Sequence, residues 1–126
     1  MTNKTVDDFL NENENNVDYA LRWASYEGNL HVVKILMEEK GADIHAQNDV
    51  AFREACRMGH MDTVLYLAEK GADIFVFNNE ALLWATVYGH KKIVEFLVMK
   101  GCDVKEAMFW AEKSKQFEIV DFLKSL

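Results

Sequence analysis

The sequence predicts an all-α solenoid: stacked antiparallel helix pairs joined by short projecting connections. Three observations carry this reading. The phrase Lys-Gly-Ala-Asp-Ile stands at 40–44 and at 70–74, and it returns as Lys100-Gly101-Cys102-Asp103-Val104, 30 residues on each time. A second phrase, Gly28-Asn29, Gly59-His60 and Gly89-His90, leads into a mostly apolar segment 12 or 13 residues before each glycine of the first. All six glycines belong to these two phrases and the chain has no proline, so the turns are fixed in place. Two short helices cannot bury their apolar faces alone, whereas stacked neighbours can.

The 126 residues fit one domain, and half of them are apolar, enough for a substantial core. A net charge of −7 disfavours phosphate backbones and anionic membranes as partners. Cys56 and Cys102 form no CxxC and no disulfide framework, and read as two small buried thiols. With no 18-residue apolar run and no apolar leader, the expectation is a soluble, intracellular, cytoplasmic protein.

Taken in order, residues 1–16 read as a capping helix and a polar loop. Val6, Phe9 and Leu10 have helical spacing, which predicts a helix from Lys4 to Leu10 capped by Thr2, Asn3 or Thr5. The Asn/Glu run at 11–16 follows as loop. The first unit, 17–48, has an inner helix capped by Asp18 with Ala20, Leu21 and Ala24 inward, and an outer helix with Leu30, Val33, Leu36 and Met37 inward. The second, 49–78, repeats this with Ala51, Phe52, Ala55, Met61, Val64, Leu67 and Ala68. The third, 79–104, uses Ala81, Leu82, Ala85, Ile93, Val94 and Leu97. The connection over 42–49 shows neither helical nor strand periodicity.

The last unit, 105–126, is compressed. Gly101 to Ala107 is six residues where Gly41 to Ala51 and Gly71 to Ala81 are ten, and Lys115 or a neighbour stands at the central glycine's turn. It reads as a terminal cap on which the stack stops. The first outer helix carries one extra residue within Glu38-Glu39-Lys40, which predicts a longer last turn or a π-type widening.

These spacings resemble ankyrin repeats over 17–126. The family pattern is Thr-Pro-Leu-His-x-Ala-Ala-x-x-Gly-His, then Leu-x-Val-Val-x-x-Leu-Leu, then Gly-Ala-Asp. It is met by Leu21, Ala24, Gly28, Leu30, Val32, Val33, Leu36, Gly41, Ala42 and Asp43 in the first copy, and by corresponding residues in the next two. The Thr-Pro pair becomes Tyr19-Ala20, Val50-Ala51 and Glu80-Ala81, and the family histidine becomes Arg22, Arg53 and Leu83. The period is 30 rather than the usual 33 or so, which shortens the projecting finger and weakens its hairpin or reduces it to turns. This short variant resembles the repeats encoded by giant viruses that infect amoebae.

The resemblance implies a non-enzymatic module that binds a protein through its concave inner-helix face and finger tips. The implied contact residues are the pairs Tyr26 and Glu27, Arg57 and Met58, and Val87 and Tyr88. A second row is Trp23, Glu54, Trp84 and Trp110, whose single glutamate argues that the position is not fully buried; its tryptophans are open to core or surface. Arg22 and Arg53 are placed to pair with Glu54 or neighbouring acids. In the fingers, Asn48 and Asn78 suit side-chain turns. Phe75 and Phe77 stand where the first finger has His45 and Gln47, either exposed as an apolar patch or buried against the third connection. Asp43, Asp73 and Asp103 read as local caps, and His60 and His90 as loop-bonding residues. Nothing in the sequence has the spacing of a metal, nucleotide or nucleophile site, so no cofactor, metal or catalytic residue is expected. The alternatives are a structural or adaptor repeat that self-associates without a concave-face ligand and, remotely, a small enzyme. The expected state is a monomer with weak self-association.

Overall fold

A computed structural model describes residues 3–126. Among them are nine helices and no strand. Helix α1 (Val6–Glu12) begins at Thr5, whose hydroxyl accepts from the Asp8 N–H while the Asp8 carboxylate accepts from the Thr5 N–H. The expected helix over 4–10 is therefore shifted: Asn3 is not its cap, Thr2 lies outside the described residues, and the helix runs two residues into the polar stretch. Asn13 closes it by donating from Nδ2 to the Phe9 carbonyl at 2.7 Å. Phe9 is fully buried against the first helix pair.

Four helix pairs follow: α2 (Val17–Glu27) with α3 (Leu30–Glu38), α4 (Ala46–Met58) with α5 (Met61–Glu69), α6 (Val76–Val87) with α7 (Lys91–Met99), and α8 (Val104–Lys113) with α9 (Phe117–Lys124). The inner helices α2, α4, α6 and α8 pack side by side through two columns of alanine. Ala20, Ala51, Ala81 and Ala107 form one and Ala24, Ala55, Ala85 and Ala111 the other, all buried. A methyl side chain lets helix axes approach closely. The outer helices meet each other far less, so the stack curves toward the exposed face of the inner helices. Val33, Leu36, Val64, Leu67, Val94, Leu97, Val120 and Leu123 supply the core from the outer side.

Polar side chains tie each pair to the one before it. His60 Nε2 donates to the Tyr26 carbonyl at 2.8 Å and His90 Nε2 to the Arg57 carbonyl at 2.8 Å. Gln116 Nε2 takes the same place on the Val87 carbonyl at 2.9 Å, and Asn29 Nδ2 reaches the Lys4 carbonyl at 3.1 Å. A second tie runs through carboxylates: Asp18 accepts the Asp43 N–H and Asp49 accepts the Asp73 N–H, both at 2.8 Å. Asp18 is thus not the cap of α2. That role belongs to Asn16, whose side chain accepts the Tyr19 N–H at 3.0 Å.

The two long connections hold a feature the sequence pattern does not show. Asp43 and Asp73 open them by accepting the N–H groups of His45 and Phe75 at 2.9 and 3.0 Å. Gln47, Asn48 and Asp49 then adopt left-handed backbone, with φ of 53, 56 and 57°, and Phe77, Asn78 and Asn79 do the same. Asn48 and Asn78 serve by backbone conformation, which Asn tolerates better than most residues, and not by the expected side-chain turn. In the first connection Arg53 braces this run, donating from Nη2 to the Gln47 carbonyl at 2.8 Å and from Nε to the Asn48 carbonyl at 3.0 Å. Leu83 stands at the corresponding place in the next unit and has no donor to offer.

The outer helices α3, α5 and α7 each span nine residues, so the extra residue near Lys40 does not lengthen the helix. It widens the exit. The Lys40 N–H reaches the Ile35 carbonyl, a five-residue π-type turn, and the Ala42 N–H reaches back six residues to Leu36. In the compressed last unit Asp103 caps α8 directly, and Lys115 takes the left-handed turn with φ 59°. Glu112 is exposed at the register position where Ser25, Cys56 and Thr86 are buried between units.

Gly28 and Gly41 both have φ of +73°, yet their surroundings differ. A methyl at Gly41 meets open space, whereas one at Gly28 overlaps the His60 imidazole. Gly41→Ala is expected to lose about 1–2 kcal/mol from left-handed strain alone. Gly28→Ala is expected to lose clearly more, because the ring must also move and give up the Tyr26 carbonyl. Urea unfolding of the two variants measures the difference, and equal losses would contradict the role given to the His60 tie.

Candidate functional site

The chain's three arginines, at 22, 53 and 57, and its three tryptophans, at 23, 84 and 110, all lie on inner helices. Helical spacing places Arg22, Trp23 and Tyr26 on α2 in register with Arg53, Glu54 and Arg57 on α4 and with Leu83, Trp84 and Val87 on α6.

Glu54 is the centre of the arrangement, and it is buried. The expectation that this row is not fully buried holds at Trp23, Trp84 and Trp110 and fails at Glu54 itself. An unpaired buried carboxylate is costly, but here Arg57 Nη1 donates to Oε1 at 3.1 Å and Arg22 Nη2 lies 3.6 Å from Oε2. Two arginines from neighbouring helices thus clamp one acid. The Arg57 guanidinium is held further in its charged form, chiefly by a side-chain hydrogen bond to Tyr88 and then by Glu54, against partial desolvation. The third arginine, Arg53, pairs with Glu80 at 3.7 Å, and Glu80 also accepts from the Trp84 indole N–H at 2.9 Å.

Aromatic rings flank the clamp on both sides. Trp23 and Tyr26 meet edge-on at 5.4 Å, and Trp84 stacks on Tyr88 at 5.8 Å with 23° between planes. Arg22 lies over the Trp23 ring at 5.1 Å and Arg57 over the Trp84 ring at 5.8 Å. Between the two aromatic pairs is a recess of about 320 Å³, lined by Tyr26, Arg57, Met58, Tyr88 and His90. Arg57 also borders a smaller recess of about 160 Å³, shared with Arg22, Arg53, Glu54 and Trp84 among others.

Not every sequence candidate joins this group. Glu27 turns away to an ion pair with Lys4 at 2.9 Å. Val87 is half-buried and contributes its carbonyl to Gln116. Trp23 is exposed, Trp84 and Trp110 are half-buried, and Trp110 meets Phe109 edge-on at 5.1 Å. In the fingers Gln47 is exposed, and its carbonyl serves Arg53. Phe75 and Phe77 are 47% and 56% exposed, which decides between the two sequence alternatives in favour of surface. The Phe77 ring carries the Arg53 guanidinium at 5.1 Å. His45 is exposed and its Nδ1 lies 3.1 Å from both oxygens of Asp49, which is buried.

The expected pairing of Arg22 and Arg53 with Glu54 or neighbouring acids is what the structure shows, Arg22 on Glu54 and Arg53 on Glu80. Arg22 and Arg53 share one register of the inner helices, and Arg57 stands in the register of Tyr26. Among the described residues no group of His, Cys, Asp and Glu is arranged to hold a metal ion, and no helix is long and apolar enough to cross a membrane.

The family model described as Ankyrin repeats (3 copies) matches residues 2–78 and, in a second placement, 21–108. No curated protein matches the chain.

The His45–Asp49 pair gives this edge a pH dependence. The side-chain hydrogen bond to Asp49, followed by its charge, raises the His45 pKa above its ordinary value, with smaller contributions from Asp43 and Asp73. A raised folded value means that the stabilising pairing is fully present below the unfolded value, near 6.5, and is lost as pH rises through the folded value. The thermal midpoint is expected to fall across that window on going alkaline. His45→Gln should remove this component, measured by circular-dichroism melts over the same range.

Proposed function

The chain belongs to the ankyrin-repeat family, and from that premise we propose that it is a non-enzymatic interaction module holding a protein partner on the concave face of its inner helices. The observation that carries this reading is the recess between the Trp23–Tyr26 and Trp84–Tyr88 pairs, with Arg57 and Met58 in it. Tyr, Trp and Arg dominate binding energy at protein interfaces, and fixed aromatic walls around a guanidinium favour such a role. The finger residues His45, Gln47, Phe75 and Phe77 extend the same surface at its edge. Two free, buried thiols, Cys56 and Cys102, fit a reducing intracellular setting. The 30-residue spacing supports the resemblance to giant-virus repeats as a reading of origin.

A second reading has its own observation. Phe109, Phe117 and Leu126, on and beyond the last helix pair, are 54%, 66% and 61% exposed, which favours weak self-association through that end.

The first reading is tested with a Tyr26→Ala, Arg57→Ala, Tyr88→Ala triple variant, checked for helicity and melting and compared with the parent protein in crosslinking capture from source-cell lysate. Loss of the parent's captured proteins is the expected result, and an unchanged set would remove this surface from consideration. Light scattering over a concentration series decides the second: a mass that rises with concentration and is restored to monomer by Phe117→Ser supports it.

A further inference from the structure

We propose that the partner segment held on the concave face is acidic: an extended peptide that sets a carboxylate on Arg57 and an apolar or aromatic neighbour in the recess between Tyr26 and Tyr88. This deepens the concave-face reading and rests on it.

Charge on this face runs opposite to that of the molecule. The chain carries −7 overall, yet Arg22, Arg53 and Arg57 meet only Glu54 and Glu80 here, leaving one cation in excess. The remaining eleven basic residues are all lysines. Arginine is the side chain whose planar fork matches a carboxylate with two parallel hydrogen bonds. The fork is incompletely used. A guanidinium presents about five N–H donors. Of those on Arg57, one goes to Glu54 and the hydrogen bond to Tyr88 accounts for another. Arg22 approaches Glu54 only at 3.6 Å, and its buried Nε has no partner. An incoming carboxylate would satisfy donors that the protein leaves open, in a place where aromatic walls lower the local dielectric.

The same observations discriminate among charged partners. A basic segment would meet three guanidinium groups with no free acid to pair with. A nucleic acid carries a charge at every nucleotide, so its backbone would run off this patch onto a strongly acidic body. A peptide can carry its carboxylate at one place and apolar side chains beside it. The molecule's net charge does not cancel the local contact, because fields between exposed groups fade over about 8 Å at physiological salt.

Inner helices about 10 Å apart give a face that a peptide of about eight residues would cross in extended form. The test selects random displayed peptides of about that length on the immobilised protein, then measures the best by fluorescence anisotropy. The expected peptides carry Asp or Glu beside an aromatic or aliphatic residue. Replacing that acid by its amide should weaken binding about tenfold or more. Met58→Glu, which adds a negative charge to the recess without touching the Glu54 clamp, should weaken it comparably while the melting midpoint stays unchanged. Arg57→Lys, keeping charge but not the fork, should also weaken it. Selection of neutral or basic peptides, indifference to the acid-to-amide change, tighter binding of an oligothymidylate strand, or no selection at all would each overturn the proposal. Neutral peptides that are lost with Tyr26→Ala and Tyr88→Ala would overturn the charge inference and leave the concave-face reading standing. Acidic peptides insensitive to every one of these substitutions would remove both.

Discussion

The inner helices α2, α4 and α6 each present, near their C-terminal ends, a carbonyl that the following helix pair satisfies. His60 on Tyr26, His90 on Arg57 and Gln116 on Val87 each cross one unit boundary. The contact works only because the residue beneath the donor has no side chain. The His60 ring lies where a methyl of Gly28 would be, the His90 ring over Gly59 and the Gln116 amide over Gly89. One constraint therefore sets the turn, the spacing and the partner of every pair. With the units at that distance the alanine columns close, the inner helices crowd together and the stack bends. The side chains on the inner rim then have fixed neighbours on adjacent helices.

What repeats in the sequence was legible, and what depends on a single long-range pairing was not. The glycine–histidine phrase, the apolar stripes and the compressed last unit all follow from local spacing, and the structure keeps them. The pairing of Arg22 with Glu54 was readable, but the burial of Glu54 was not, because it also depends on Arg57 closing the clamp from three residues further along the same helix. The α2 cap passed to Asn16 for a related reason: Asp18 is drawn to the Asp43 N–H, an interaction between segments rather than within one. The left-handed runs at 47–49 and 77–79 escaped because propensity disfavours them, most of all at Phe77. Their register was hidden in the ten-residue interval from glycine to the next inner helix. A lone extra residue at the first exit was readable as a widened turn, since an insertion into a fixed repeat has few places to go.

The residues that differ between copies sort by what they touch. Arg53 is the most constrained of the arginines: it braces one connection through two carbonyls, lies over Phe77 of the next and pairs with Glu80. Its counterpart Leu83 does none of this. The first connection is therefore cross-braced, and the second is held by its own turn and by Asp49 from the unit before. Phe75 and Phe77 lie on that less-braced segment, so the most apolar part of the edge is also the part with fewest polar restraints.

The seating of guanidinium groups over aromatic rings has a further consequence, which concerns entropy. Long basic side chains ordinarily lose rotamer freedom when a ligand arrives, at roughly 0.5–1.5 kcal/mol for each one immobilised. Arg22 on Trp23, Arg57 on Trp84 and Arg53 on Phe77 have given up part of that freedom on folding, and Glu54 and Glu80 restrain the same three side chains. Any occupant of the inner face meets groups that stand in position before it comes. The folding of the repeat, rather than the act of association, bears the conformational cost of the surface.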